Sequence, residues 1–168
     1  MTSLDVLSRI KIYGSNTNCI DISNCDKAYK WYQDTYNTKI VKITTIVPKW
    51  NDRIQTTIDS IVNGVNDGII DIRQPATMYK SLEHHTQKIN QGWIPEKYYH
   101  NHIFDDHYVQ IQANMKICNK LWCDYVVFVK NGNQVYIERI YFNEPYWNQV
   151  WSTLDDYINN VLVPTLNA

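Results

Sequence analysis

Two short apolar runs joined by a polar turn constrain the fold of this chain more than any other feature. The runs extend from Ile54 to Val62 and from Ile69 to Gln74. The residues between them are Asn63-Gly64-Val65-Asn66-Asp67-Gly68. Turn residues of this kind between β-rich runs predict a β-hairpin.

The predicted hairpin places two carboxylates and an arginine on one face. A turn centred near Val65 places Asp59 opposite Asp71, with their side chains about 5 Å apart. Two carboxylates that close repel unless they share a proton or a cation, and a hard cation such as Mg²⁺ takes one or two carboxylates plus waters. The two-residue period of a strand puts Arg73 on the face of Asp71. This pattern is typical of a metal site for phosphodiester chemistry.

Length and composition predict one domain with a substantial core. The chain has 168 residues, of which 44% are apolar, and it contains 6 Trp, 13 Tyr and 3 Phe. The formal net charge of -1 argues against a strong nucleic-acid binder, because such domains usually carry a basic excess.

Sequence signals of export are missing. The N-terminus lacks the apolar stretch of a secretory signal, and no run approaches the roughly 18 apolar residues of a membrane span. We therefore expect an intracellular protein, in the cytoplasm or nucleus of a host or in a virion, that is neither secreted nor in a membrane. The cysteines lack the tight C-x2-C spacing of most zinc modules, so we expect reduced, largely buried thiols at Cys19, Cys25, Cys118 and Cys123.

Hydrophobic periodicity predicts a mixed α and β organisation. Residues Tyr98 to His102 are expected to form a loop or a short helix. The remaining predicted elements are a helix from Ser23 or Asn24 to about Tyr36, a strand from Lys39 to Val47, a helix from Asp105 or Asp106 to about Cys118, and a hairpin of Trp122 to Val129 with Gln134 to Tyr141.

The final helix has the clearest pattern and is predicted to serve packing, with no role in binding. Pro145 suits its first turn and Pro164 its end. Its apolar stripe consists of Trp147, Val150, Trp151, Leu154, Tyr157, Ile158 and Val161.

Two glutamines on the predicted helix before Cys118 compete for one site. Residues two apart on a helix point about 200° apart, so Gln110 and Gln112 cannot both face it. Gln112 lies beside Tyr108, Val109 and Met115, which indicates the buried face. Gln112 is therefore the better candidate for the site; the alternative is an amide satisfied by nearby backbone.

The order and spacing of several segments resemble the lambda-type exonucleases of phages and large DNA viruses. These enzymes have the PD-(D/E)XK nuclease fold, and the resemblance runs from roughly Asn24 to Pro164. It is carried by His107 to Gln112, Trp122 to Val127, Ile137 to Ile140, the Trp147 helix, Thr57-Ile58-Asp59, and Asp71-Ile72-Arg73-Gln74-Pro75.

The resemblance implies an α/β (α+β) fold: one PD-(D/E)XK-like nuclease domain over residues 1–168, with a core of about 23–164 and a mixed central sheet flanked by helices. The implied activity is a Mg²⁺- or Mn²⁺-dependent deoxyribonuclease of exonuclease type in viral DNA recombination or repair. Its implied partners are duplex DNA ends and further copies of the chain in a homo-oligomer.

The resemblance also implies roles for single residues. Asp59, Asp71 and the Ile72 carbonyl would hold the metal, Gln112 would orient the attacking water, and Arg73 would act electrostatically. Substrate contacts are expected from Arg73, Gln110 and Tyr108. The alternative for the two aspartates is a polar strand face exposed to water.

Two departures from the family pattern leave other functions open. Arg73 stands where the family has Lys, and a guanidinium cannot lose its proton to act as a base. The early Glu of the family would fall at Cys25, next to Asp26. The chain could therefore be a catalytically degenerate nuclease-fold protein that binds DNA or a protein without cleavage, or an accessory or structural protein of a large DNA virus.

Overall fold

The computed structural model describes residues 22–42, 45–52, 54–58, 60–63, 67–73, 99–100, 103–129 and 134–166. The strands are β1 (Lys39–Lys42), β2 (Ser60–Asn63), β3 (Gly68–Arg73), β4 (Tyr99–His100), β5 (Ile103–Phe104), β6 (Trp122–Val129) and β7 (Gln134–Tyr141). The helices are α1 (Ile22–Tyr36), α2 (Asp105–Cys118), α3 (Glu144–Tyr157), a π-helix (Ile158–Leu162) and α4 (Val163–Leu166).

A mixed sheet in the order β1-β2-β3-β6-β7 forms the centre of the molecule. Strands β3 and β6 pair in parallel, and the other neighbours pair antiparallel. In the β2–β3 pair, Ser60 lies opposite Ile70 and Val62 opposite Gly68. This is the register predicted for a hairpin centred near Val65, and it confirms that part of the sequence analysis.

Helix α1 covers one face of the sheet. Ala28 and Tyr32 are one helical turn apart and both are buried, so they form the stripe that packs on the strands. The sheet residues of this core are Val62, Ile70, Ile72, Trp122 and Val126.

Helix α2 covers the opposite face, and α3 packs on the outer side of α2. Tyr108, Ile111 and Met115 of α2 join the core against the sheet. Val109 and Ala113 point the other way and pack with Trp147 and Val150 of α3. Helix α2 is therefore buried on two sides.

A polar network lies on the α1 face of the sheet. The Tyr32 hydroxyl donates a hydrogen bond to buried Asp124 of β6. Arg139 of β7 donates to both oxygens of the same carboxylate, at 2.7 and 2.8 Å, and lies 3.8 Å from the centre of the Trp122 ring. Burial, reinforced by the bond to Asp124, raises the pKa of Tyr32. The network joins α1 to the sheet through one buried carboxylate.

Most predicted element bounds agree with the structure. The bounds of β6 and β7 are confirmed, as are the start and end of α2 and the end of α1 at Tyr36. Asn37 and Asn119, with φ of 47° and 53°, follow α1 and α2 in the left-handed conformation that asparagine tolerates. Asn143 caps α3, with Pro145 in its first turn as predicted, and the buried stripe of α3 is Trp147, Val150 and Leu154.

Several bounds differ from the predictions. Helix α1 begins at Ile22, so Ser23 and Asn24 lie inside its first turn. Strand β1 ends at Lys42, and beyond it Ile46 forms an isolated bridge with Thr56. Residues 99–100 form a short strand where a loop or helix was expected, and Val161 is 46% exposed.

Two other expectations concern the cysteines and the membrane. Cys118 and Cys123 are free thiols, as expected; Cys19 lies outside the described residues, and the side chain of Cys25 is not described. In the described part of the chain, none of the helices has the length and apolar character needed to cross a bilayer.

Candidate functional site

Asp71 and Arg73 form a buried ion pair on the face of β3 that α2 covers. Their side chains are only 5% and 8% exposed. The two-residue period of the strand puts both on one face, as predicted. The guanidinium donates to both carboxylate oxygens, from Nε to Oδ1 at 2.5 Å and from an Nη atom to Oδ2 at 2.8 Å. The alternative of a strand face exposed to water is therefore wrong for Asp71, while Asp59 lies outside the described residues.

Gln110 of α2 completes this cluster from the opposite layer. Its Oε1 atom accepts a hydrogen bond from Arg73 at 2.9 Å, and the residue is 6% exposed. Asp71, Arg73 and Gln110 thus form a neutral, hydrogen-bonded group between the sheet and α2. A buried charge of this kind is tolerated because it is paired with an opposite charge and hydrogen-bonded.

A second pair of side chains lies beside Asp71 and was missed by the sequence analysis. Tyr125 of β6 is the register partner of Asp71 in the parallel ladder, so both side chains are on the α2 face. The Tyr125 hydroxyl lies 2.9 Å from Nδ1 of His107, which precedes Gln110 by one helical turn. Only the pairing of β3 with β6 places these two side chains beside Asp71, because the two strands are far apart in the sequence.

Gln112 occupies a different place from the one expected. Its amide nitrogen donates to the Tyr141 carbonyl at 3.0 Å, and its Oε1 atom accepts from the Asn143 amide at 2.8 Å. Gln110, not Gln112, faces the acidic strand. The buried face did not identify the site because α3 covers the other side of α2, so both glutamines are buried.

Tyr108 lies on the same side as Gln112. It is 6% exposed, and its ring meets Tyr146 of α3 edge to face at 5.0 Å between centroids. Burial raises the pKa of its phenol, while hydrogen bonding to Asn143 and Gln112 opposes that shift. The structure describes no contact between Tyr108 and Arg73. A substrate contact from Tyr108 therefore stays a prediction.

The remaining predicted site residues divide into two groups. Asp59, Gln74 and Pro75 lie outside the described residues. Ile72 is fully buried against α1, on the face opposite Asp71, and its carbonyl as a metal ligand stays a prediction.

The described residues do not fit a divalent cation at Asp71 as they stand. Both carboxylate oxygens accept hydrogen bonds from Arg73, and a guanidinium keeps its charge at any ordinary pH. Among the described residues, which leave out Asp59, no three or more His, Cys, Asp or Glu side chains converge as a metal-ligand group. A cation at Asp71 would first have to displace Arg73.

The sheet and the helices packed on it have the fold of solved exonuclease structures. No protein-family model matches the sequence, and comparison with curated proteins finds no significant match. Solved structures do match, and the chain has the PD-(D/E)XK nuclease fold of the lambda-type exonucleases. The resemblance that the sequence suggested is confirmed at the level of the fold.

Three of these structures come from two bacteria. The alkaline exonuclease of Laribacter hongkongensis superposes with a TM-score of 0.62 at 16% identity, over 84% of this chain and 67% of that one. Its complex with dAMP gives a TM-score of 0.61 at 15% identity. A phage-related exonuclease from Haemophilus somnus 129PT gives 0.56 at 11% identity, over 97% of this chain and 83% of that one.

Proposed function

We propose that this chain binds DNA through an exonuclease fold without cleaving it. The observation that carries the proposal is the two-point hydrogen bonding of Asp71 by Arg73. DNA is the proposed ligand because solved structures that share this fold are exonucleases, one of them in complex with dAMP.

The chemistry of arginine supports a site that does not cleave DNA. In the family pattern a lysine stands at this position, and a desolvated ammonium can give up its proton or move on a flexible stem. Arg73 instead has a planar fork that matches the carboxylate, and its third hydrogen bond, to Gln110, holds it in place. A divalent cation would have to enter beside a buried positive charge, which opposes binding.

A second candidate is the Mg²⁺- or Mn²⁺-dependent deoxyribonuclease of viral recombination or repair, acting on duplex ends as a homo-oligomer. The β2–β3 register favours it, because Ser60 pairs with Ile70 in the antiparallel arrangement that the family motif requires. In this candidate Asp59, Asp71 and the Ile72 carbonyl would be the metal ligands.

The test combines Mn²⁺ calorimetry with binding and cleavage of linear duplex DNA by the wild type, Asp71→Asn and Arg73→Lys. Asp124→Asn is the matched control, because Asp124 is also a buried aspartate held at two points by an arginine, but on the α1 face. The proposal expects salt-dependent DNA binding by the wild type, without Mn²⁺ binding or cleavage.

The other outcomes separate the candidates. Mn²⁺ binding and cleavage by the wild type, both lost in Asp71→Asn and kept in Asp124→Asn, would replace the proposal by the metal-dependent nuclease. Absence of DNA binding under all conditions would contradict both and favour an accessory or structural protein.

A further inference from the structure

A cavity of about 500 Å³ lies between the segment of residues 46–50 and the C-terminal end of α2. This volume is within the range of about 300–1,000 Å³ of small-ligand sites. The wall from the first segment consists of Ile46, Val47, Pro48, Lys49 and Trp50, and the wall from α2 of Lys116, Ile117, Cys118 and Asn119.

Trp50 is the aromatic residue among the nine that line this cavity. The residue is 47% exposed, and its ring meets Trp151 of α3 edge to face at 5.2 Å between centroids. Trp151 in turn stacks on buried Trp147 at 5.8 Å. Trp151 and Trp147 thus connect Trp50 to the core, while nearly half of Trp50 stays exposed to solvent.

The charged side chains of the cavity are all positive. Lys49 and Lys116 are among the nine described residues that line it, and none of the nine has a carboxylate. Lys49 is exposed, and the Lys116 ammonium lies 5.7 Å from the centre of the Phe142 ring. A ligand with a flat apolar part and a negative charge therefore complements this lining.

The cavity continues the line of the candidate site along α2. Gln110, Asn114 and Cys118 are four residues apart, so they follow one side of the helix. Gln110 contacts Arg73, Asn114 accepts a hydrogen bond from the Thr56 hydroxyl, and Cys118 lines the cavity. Two turns of helix, about 12 Å at 1.5 Å per residue, therefore separate Gln110 from the cavity.

We propose that this cavity binds one nucleotide of single-stranded DNA, with the base stacked on Trp50 and the phosphate paired with Lys49 and Lys116. The inference rests on the proposed function, DNA binding, and adds the form of DNA and the residues that hold it. A single strand is the ligand because its bases have free faces, and stacking on aromatic side chains beside a basic groove is the usual way to bind it.

The test is fluorescence anisotropy of a labelled oligothymidylate of about twelve nucleotides, which is within the usual range of single-strand site sizes. Trp50→Leu should weaken binding roughly five- to a hundredfold, because it removes stacking. Trp50→Phe should keep most of the affinity. Lys49→Ala and Lys116→Ala should each reduce the magnitude of the negative slope of log affinity against log salt by about 0.7.

The controls are Lys30→Ala, an exposed lysine of α1 on the other face, and Tyr141→Ala, an exposed aromatic residue. Equal affinity of Trp50→Leu and wild type, or equal effects of the cavity lysines and Lys30, would overturn the inference. Binding of duplex DNA without binding of the oligothymidylate would overturn it and leave the proposed function standing. Failure to bind either DNA would overturn both.

Discussion

The indole ring of Trp122 occupies the space beside Gly68 so closely that a Cβ atom on residue 68 would come within 2.3 Å of it. The contact joins the start of β3 to the start of β6. The Arg139 guanidinium carbon lies 3.8 Å from the centre of the same ring. The absence of a side chain at Gly68 therefore makes room for the Trp122 ring on the α1 face of the sheet.

Gly68→Ala should lower the free energy of unfolding by about 3 kcal/mol, because the added methyl group meets a rigid ring in a packed core. Urea unfolding of the variant against the wild type measures the effect. Adding Trp122→Leu should recover part of the loss by making room. An additive effect of the two substitutions would contradict this explanation.

Arg73→Met should lower the free energy of unfolding by roughly 3–5 kcal/mol, because it leaves the buried Asp71 carboxylate without its partner. Combining it with Asp71→Asn should restore much of the stability, since no unpaired charge remains. A double-mutant cycle from denaturant unfolding gives the coupling between the two residues. Independent effects would mean that the ion pair does not form.

Gln112→Ala should lower the free energy of unfolding by about 1–3 kcal/mol, because the Asn143 amide and the Tyr141 carbonyl each lose a hydrogen-bond partner. Gln149→Ala on the exposed side of α3 is the matched control for loss of a glutamine side chain. Equal stability of the two variants would show that Gln112 does not join α2 to the β7–α3 connection.

Tyr32 should make the stability sensitive to alkaline pH. Burial and the bond to Asp124 raise its pKa above the ordinary value of 10.0, so the stabilisation is full below pH 10 and is lost as pH rises further. The free energy of unfolding should fall by about 1.4 kcal/mol per pH unit for this group. Tyr32→Phe should give a shallower loss than wild type and Tyr36→Phe between pH 10 and 12; parallel profiles would contradict the assignment.

Local sequence signals determined the parts of the fold that depend on neighbours along the chain. The turn between β2 and β3 and the apolar runs on either side of it were enough to predict the register in which Ser60 pairs with Ile70. The turn sequence Lys130-Asn131-Gly132-Asn133 and the β-rich runs around it were enough to predict the bounds of β6 and β7.

Those local signals could not predict the contacts of the helices with one another and with the sheet. Periodicity showed that Gln112 is buried, but α2 is covered on two sides, and only the packing of α3 shows which side belongs to the site. The pairs His107–Tyr125 and Tyr32–Asp124 each join a helix residue to a residue of β6, and the packing of α2 and α1 on the sheet brings them together. An isolated sequence contains no local pattern that specifies such pairs.

The parallel pairing of β3 with β6 has a consequence for synthesis of the chain. Strand β3 ends at Arg73 and its partner begins at Trp122, so about fifty residues must be translated before the pairing is possible. At 5–20 residues per second the ribosome needs roughly 2 to 10 s for that stretch. During this time the edge of β3 that pairs with β6 has no partner strand. We therefore expect the nascent chain to bind ribosome-associated chaperones.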